Sequence, residues 1–124
     1  AVEGTPLKIF NANAQSWYDS YCHGSAGYNG VMANFHPDLY KWAYDHKDSD
    51  PEKAQLVAHF LTTADMIELR AYPVSAKYHQ NLVDVPMSLV TRSADAAKLD
   101  KNARGEVESL IAMENYVRKQ LGIL

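Results

Sequence analysis

Two short stretches rich in β-formers, each followed by a helix-like stretch, leave this chain few ways to fold. The run 6-PLKIFNANA-14 opens on a proline and is dense in strand formers over 7–10, so it reads as a strand. The next residues, 15-QSWYDSYCHG-24, read as a helix stopped by Gly24, the residue best suited to a helix C-terminus. A second apolar run, 28-YNGVMA-33, is too brief for a helix and is expected to be a strand. A second helix, 36-HPDLYKWAYDH-46, carries Pro37 near its first turn, where a missing N–H costs little. Strand, helix, strand, helix with short connections is the alternation of parallel α/β units. Two parallel strands cannot close on themselves, because parallel sheets are buried on both faces and a pair keeps two open edges. The sequence therefore calls for further strands, supplied by another chain or by a segment N-terminal to this one.

After Asp50 the pattern becomes wholly helical. Ser49 or Asp50 can cap a helix that starts at Pro51, and along 51-PEKAQLVAHFLTTADMIELR-70 the residues Val57, Phe60, Leu61, Ala64 and Ile67 recur at helical spacing. A further helix is expected from Pro73 to Val83, after a break at Tyr72-Pro73, and 84-DVPMSLVTRSAD-95 is expected to be irregular. A last amphipathic helix, 98–121, places Val107, Leu110, Ile111, Glu114, Val117 and Leu121 on one side and ends at Gly122. The expected organisation is two β/α units over 1–48 and a helical extension over 49–124.

Gly24, Gly27 and Gly30 form a G-x-x-G-x-x-G series that invites a phosphate-binding reading. Phosphate loops place their glycines after a strand and before a helix, so that helix N–H groups meet the anion. Here the order is reversed, and the spacing matches no nucleotide fingerprint. The structural reading is better: Gly24 ends a helix, Gly27 turns into the strand and Gly30 permits close packing.

Composition narrows the function classes. A net charge of −3 over 124 residues, with Lys and Arg scattered, gives no footprint for nucleic acid. No apolar stretch approaches the roughly 20 residues of a membrane span. The start AVEGTPLKIF lacks the basic-then-apolar profile of a secretory signal, and it opens without methionine, as a processed or excised piece of a longer chain would. A lone Cys22 excludes an internal disulfide framework and suits a reducing compartment, so a cytoplasmic location is expected. It is read as a packed small residue rather than a nucleophile. The histidines His23, His36, His46, His59 and His79 show no metal-ligand spacing, so no metal and no cofactor is expected. The aromatics Trp17, Tyr18, Tyr21, Trp42 and Tyr44 recur at helical spacing and read as core or oligomer-interface packing.

Several islands, in order, carry a resemblance. Leu7-Lys8-Ile9-Phe10-Asn11-Ala12-Asn13-Ala14 is similar to a seventh barrel strand and its loop, and Gly24-Ser25-Ala26-Gly27 through Ala33-Asn34 to an eighth strand entered by a G-x-x-G turn. Tyr72-Pro73-Val74-Ser75-Ala76-Lys77 is similar to the start of a C-terminal helix, and Val85-Pro86-Met87-Ser88 with the final helix to the usual ending. Together they resemble the dihydrodipicolinate synthase and N-acetylneuraminate lyase family of pyruvate-dependent class I aldolases. The resemblance implies an α/β fold: the last two β/α units of a TIM (β/α)8 barrel plus a C-terminal three-helix appendage. A complete barrel needs about 250 residues, so the chain would be the C-terminal portion of a longer enzyme.

The resemblance also implies the chemistry. Family members form a Schiff base between a lysine of the sixth strand and the keto carbon of a 2-oxo acid, and a tyrosine of the fifth strand moves protons. Neither strand is present, so no catalytic residue is expected here. Lys8 lies early in its strand, whereas barrel sites sit at the C-terminal strand ends, and Lys77 matches an outer-helix position. Alternation along the strands turns Leu7, Ile9 and Asn11, and then Asn29, Val31 and Ala33, toward the barrel interior. Asn11, Asn29 and Gly30 are the candidate substrate-binding residues. The family usually carries glycine at the Asn11 position and isoleucine at Asn29, and the two amides can bind hydroxyl or carboxylate oxygens or else satisfy neighbouring backbone groups. Asn13-Ala14 and Val31 stand where an acidic pair and a serine are expected, which points away from sialic acid. Glu68 of the appendage can also approach the pocket.

The leading expectation is part of a lysine Schiff-base aldolase or lyase acting on pyruvate or a related, hydroxylated 2-oxo acid, in a homodimer or homotetramer. Dihydrodipicolinate synthase proper is one alternative. A stand-alone, non-catalytic oligomeric binding protein is the other, its open strands paired between copies. A secreted all-α inhibitor conflicts with the two strand patterns.

Overall fold

The Ile9 carbonyl accepts a hydrogen bond from the Ala26 N–H at 2.7 Å, and from there two strands run side by side in the computed structural model, which describes residues 2–124. Strand β1 (Phe10–Asn11) pairs in parallel with β2 (Gly27–Tyr28), Phe10 opposite Gly27 and Asn11 opposite Tyr28. Helix α1 (Trp17–Cys22) connects them, and Gly24 closes it with φ +90°, a conformation that favours glycine. Among the described residues the sheet has these two strands and no third.

The second strand is shorter than the sequence suggests. Residues Val31, Met32 and Ala33, expected to be extended, fall in a 3-10 turn over Val31–Asn34, in which Ala33 N–H donates to Gly30 O at 3.1 Å and Phe35 N–H to Met32 O at 3.0 Å. A strand must find a neighbour for its N–H and C=O groups. Without one beyond β2, these residues satisfy their backbone locally, and the Asn34 side chain adds a bond to Val31 O at 3.0 Å.

Helix α2 (Pro37–His46) follows, with Pro37 in its first turn as the sequence predicts, and buries Leu39, Tyr40 and Ala43. Helix α3 (Pro51–Ala64) starts where Asp50 takes the Lys53 N–H on its carboxylate (3.3 Å) and the Ala54 N–H on its carbonyl (3.0 Å). Its inward stripe is Ala54, Val57, Ala58 and Leu61, a spacing of three and four residues, and Thr62 Oγ1 donates to Ala14 O at 3.0 Å. The helix expected to run on to residue 70 instead tightens into a 3-10 turn over Asp65–Leu69.

The centre of this half is aromatic. Trp17, wholly buried, meets Tyr18, Tyr21 and Tyr40 edge-on at 5.5, 4.9 and 4.7 Å between ring centres. Tyr28 from β2 stacks on Tyr40 of α2 at 4.2 Å. Such pairs add about 0.5–1.5 kcal/mol each beyond area burial, so the helices are fixed to β2 chiefly by rings.

The chain divides into two compact units, Ala1–Thr63 and Ala64–Leu124, so almost all of α3 belongs with the β/α units. In the second unit α4 (Val74–Leu82) packs on α5 (Lys101–Leu121). Asp100 caps α5 by accepting the Ala103 N–H at 2.8 Å, and Gly122, at φ +72°, closes it. Its buried residues Ala103, Val107, Leu110 and Glu114 form one stripe. Val74, Leu99 and Ala103 make the apolar core, flanked by Tyr78, Leu89, Ala94 and Ala96. The irregular segment before α5 is tied to α4: the Asn81 carboxamide exchanges two 2.8 Å bonds with the Met87 backbone, and Lys77 Nζ donates to Val90 O. Among the described residues no helix is long and apolar enough to cross a membrane.

Candidate functional site

The parallel pair has one polar end. Asn11 closes β1, Asn29 and Gly30 follow β2, and the Asn29 N–H donates to the Asn11 carbonyl at 2.8 Å. All three candidate residues thus stand together at the C-terminal ends of the strands. Parallel α/β folds carry their ligands at that end, because side chains from successive loops converge there.

The two amides differ in what they have left to offer. Asn11 Nδ2 donates to Ser16 Oγ at 3.2 Å and to Ser20 Oγ at 3.0 Å, while its Oδ1 accepts the Asn13 N–H at 2.7 Å. Both donors are engaged, and one oxygen lone pair remains. Asn13 extends the arrangement: its Oδ1 accepts from the Gln15 N–H (3.1 Å) and from the Ser16 N–H and hydroxyl (2.9 Å each). Asn11 therefore shapes the loop that leads into α1. Asn29 is exposed, and its carboxamide makes no hydrogen bond among the described residues. It is the open amide of the pair.

Gly30 is required for space. Its φ of −111° is open to any residue, but a Cβ there would lie 2.0 Å from the Tyr28 hydroxyl and 2.2 Å from the ring carbon that bears it. The Tyr28 ring folds back over Gly30 and is held there by its stack on Tyr40. Val31 and Ala33, expected to alternate inward along a strand, sit in the 3-10 turn instead and do not continue the strand register.

The remaining candidates lie elsewhere. Lys8 is exposed and precedes β1, Lys77 is bonded to Val90 O, and Glu68 is exposed in the Asp65–Leu69 turn of the second unit. Cys22, expected to be packed, is exposed, because α1 turns its other face with Trp17, Tyr18 and Tyr21 into the core. Among the described residues no group of three His, Cys, Asp or Glu side chains stands together as metal ligands.

Sequence reasoning missed one polar pair. His79 of α4 and Glu114 of α5 are 1% and 0% exposed, and His79 Nε2 contacts both carboxylate oxygens. The signal was a glutamate in the apolar stripe of α5, whose partner lies 35 residues earlier. Enclosed between two helices, the pair is closed to substrate and serves the packing. On its outer side Tyr78 donates to Glu108 Oε1 at 2.7 Å beneath the Arg104 guanidinium. The hydrogen bond to that carboxylate, with burial behind it, raises the Tyr78 phenol pKa.

Comparison of the chain with protein-family models, with curated proteins and with solved structures gives no match.

Proposed function

We propose that these residues are the last two β/α units and the helical appendage of a (β/α)8 enzyme related to the dihydrodipicolinate synthase and N-acetylneuraminate lyase family, a class I aldolase or lyase of 2-oxo acids. The observation that supports this reading most is the isolated parallel pair. A two-residue parallel ladder is not a self-sufficient sheet. Beside it Leu7, Ile9 and Phe10 are 66%, 48% and 56% exposed, apolar side chains placed where a barrel would cover them.

In this reading the rest of the barrel supplies the lysine. Its neutral amine attacks the keto carbon, water leaves, and the resulting iminium accepts the electron pair as the C–C bond breaks. This portion supplies the rim. Asn29 offers an amide to a hydroxyl or carboxylate oxygen of the substrate, Asn11 fixes the adjoining loop, and Gly30 keeps the floor low. The polar rim favours a hydroxylated 2-oxo acid, whose extra hydroxyl gives the amide an oxygen to bind. The enzyme is a cytoplasmic homodimer or homotetramer on the same reading.

Borohydride reduction of the gene product that contains these residues, in the presence of pyruvate, tests it. The expected result is a reduced pyruvyl adduct on one lysine outside the 124 residues. An absence of adduct, or labelling confined to Lys8 or Lys77, overturns the proposal. Replacing Asn29 by Ala in that protein should raise KM for hydroxylated 2-oxo acids about tenfold, the effect of one lost hydrogen bond to a polar substrate, and leave pyruvate binding nearly unchanged.

A further inference from the structure

The first unit holds a concavity of about 280 Å³, lined neither by Asn11 nor by Asn29 or Gly30. Its walls are Tyr21, Tyr28, Tyr40 and Tyr44, with Gly27 beneath and Lys41 at its side. The volume stands at the lower limit of small-molecule sites, about 300 Å³, and suits a ligand of one ring. The walls are set before any ligand arrives. Tyr28 and Tyr40 stack at 4.2 Å with planes 9° apart, and Tyr21 and Tyr44 meet edge-to-face at 4.9 Å and 86°. Tyr21 and Tyr40 are each 3% exposed, so they cannot rotate away.

The charge of the lining has one sign. Lys41 is its only ionised side chain, and it ion-pairs with Asp45 one turn along α2. Lys41 and Asp45 are 71% and 42% exposed. Exposed pairs of this kind contribute little, so a second carboxylate can compete for the ammonium. The phenols add neutral O–H groups. Burial, with Tyr28 and Tyr44 close by, pushes the Tyr21 phenol pKa up to about 12, so it remains protonated at neutral pH.

We infer that this cavity binds a small aromatic carboxylate, its ring against the tyrosine walls and its carboxylate on Lys41 Nζ. An aromatic ring gains offset or edge contacts with the tyrosines that a saturated ring lacks. An organic cation would also be drawn to the ring faces but would meet Lys41 at the same opening. The inference does not depend on the aldolase reading, since no residue of the strand-end rim takes part.

Titration of the gene product that contains these residues with benzoate, followed by amide and aromatic NMR shifts, tests it. Saturable shifts at Tyr28, Lys41 and Tyr44 are expected. Lys41→Met should weaken benzoate about tenfold or more, as loss of a charge-assisted contact does, and Asp45→Asn should strengthen it about two- to fivefold by freeing the ammonium. Cyclohexanecarboxylate should bind more weakly than benzoate, and benzylammonium not at all. Both substitutions fall on exposed positions, so neither threatens the fold. No saturable benzoate binding, unchanged affinity in Lys41→Met, or benzylammonium binding as tight as benzoate would each overturn the assignment.

Discussion

His79 Nε2 lies 3.1 and 3.0 Å from the two carboxylate oxygens of Glu114, and neither side chain is more than 1% exposed. Arg118 Nη1 approaches the same carboxylate at 3.4 Å, so one enclosed acid faces both an imidazole and a guanidinium. Removing one member of such a group strands the other without solvent. Glu114→Ala should therefore destabilise the chain by about 1–3 kcal/mol in urea unfolding, the cost of a buried polar group left without its partner. Replacing both His79 and Glu114 by Leu should recover part of that loss, since neither member of the pair is then left enclosed without the other. Equal losses in the single and double variants would mean that the pair's shape, not its polarity, holds the helices.

The aromatic centre should show itself at alkaline pH. Burial first, then the neighbouring Tyr28 and Tyr44, raise the Tyr21 phenol to about 12. An unfolded tyrosine titrates near 10, so the folded state holds this proton more tightly. The stabilisation is complete below pH about 10 and disappears as pH climbs through about 12. Tyrosinate absorbance should report a phenol that titrates at about 12, and Tyr21→Phe should remove that step. In alkaline unfolding, the same variant should lose the corresponding part of the slope.

Gly30→Ala tests the packing of Tyr28. The added Cβ would meet the phenol at 2.0 Å, so the ring must leave its stack on Tyr40. The expected loss is about 1–3 kcal/mol, the usual range for overpacking, with a weakened near-UV circular dichroism signal. In a Tyr28→Leu background the same substitution should cost much less.

Asp100→Ala isolates a single cap. The carboxylate accepts the Ala103 N–H at 2.8 Å at the head of a 21-residue helix. Loss of the bond should lower stability by about 1 kcal/mol and speed hydrogen exchange in the first turn of α5, leaving the last turn, closed by Gly122, unaffected.

Local signals were legible. Gly24, Pro37, Pro51 with Asp50 before it, and Gly122 each mark an element boundary in the sequence and in the structure, because each acts within a turn of its own position. What failed depended on partners. Residues 31–34 carry strand composition, yet with no neighbouring strand they close 3-10 bonds instead. The last helix starts at Lys101, after the Asp100 cap, rather than at residue 98. Glu114 was visible as an oddity in the stripe of α5, but no spacing rule leads from it to His79. At the strand ends, the sequence offered Asn11 and Asn29 on equal terms. Only geometry shows that Ser16, Ser20 and the Asn13 N–H have claimed the first.

Leu7, Ile9 and Phe10 stand in water beside a ladder two residues long. Apolar side chains next to unpaired strand backbone are a template for indiscriminate association, and proteins normally hide them. Prepared by itself, the chain should then draw chaperones and precipitate as its concentration rises. In the cell, timing becomes part of its folding: whatever covers these three residues has to be in place soon after they clear the ribosome.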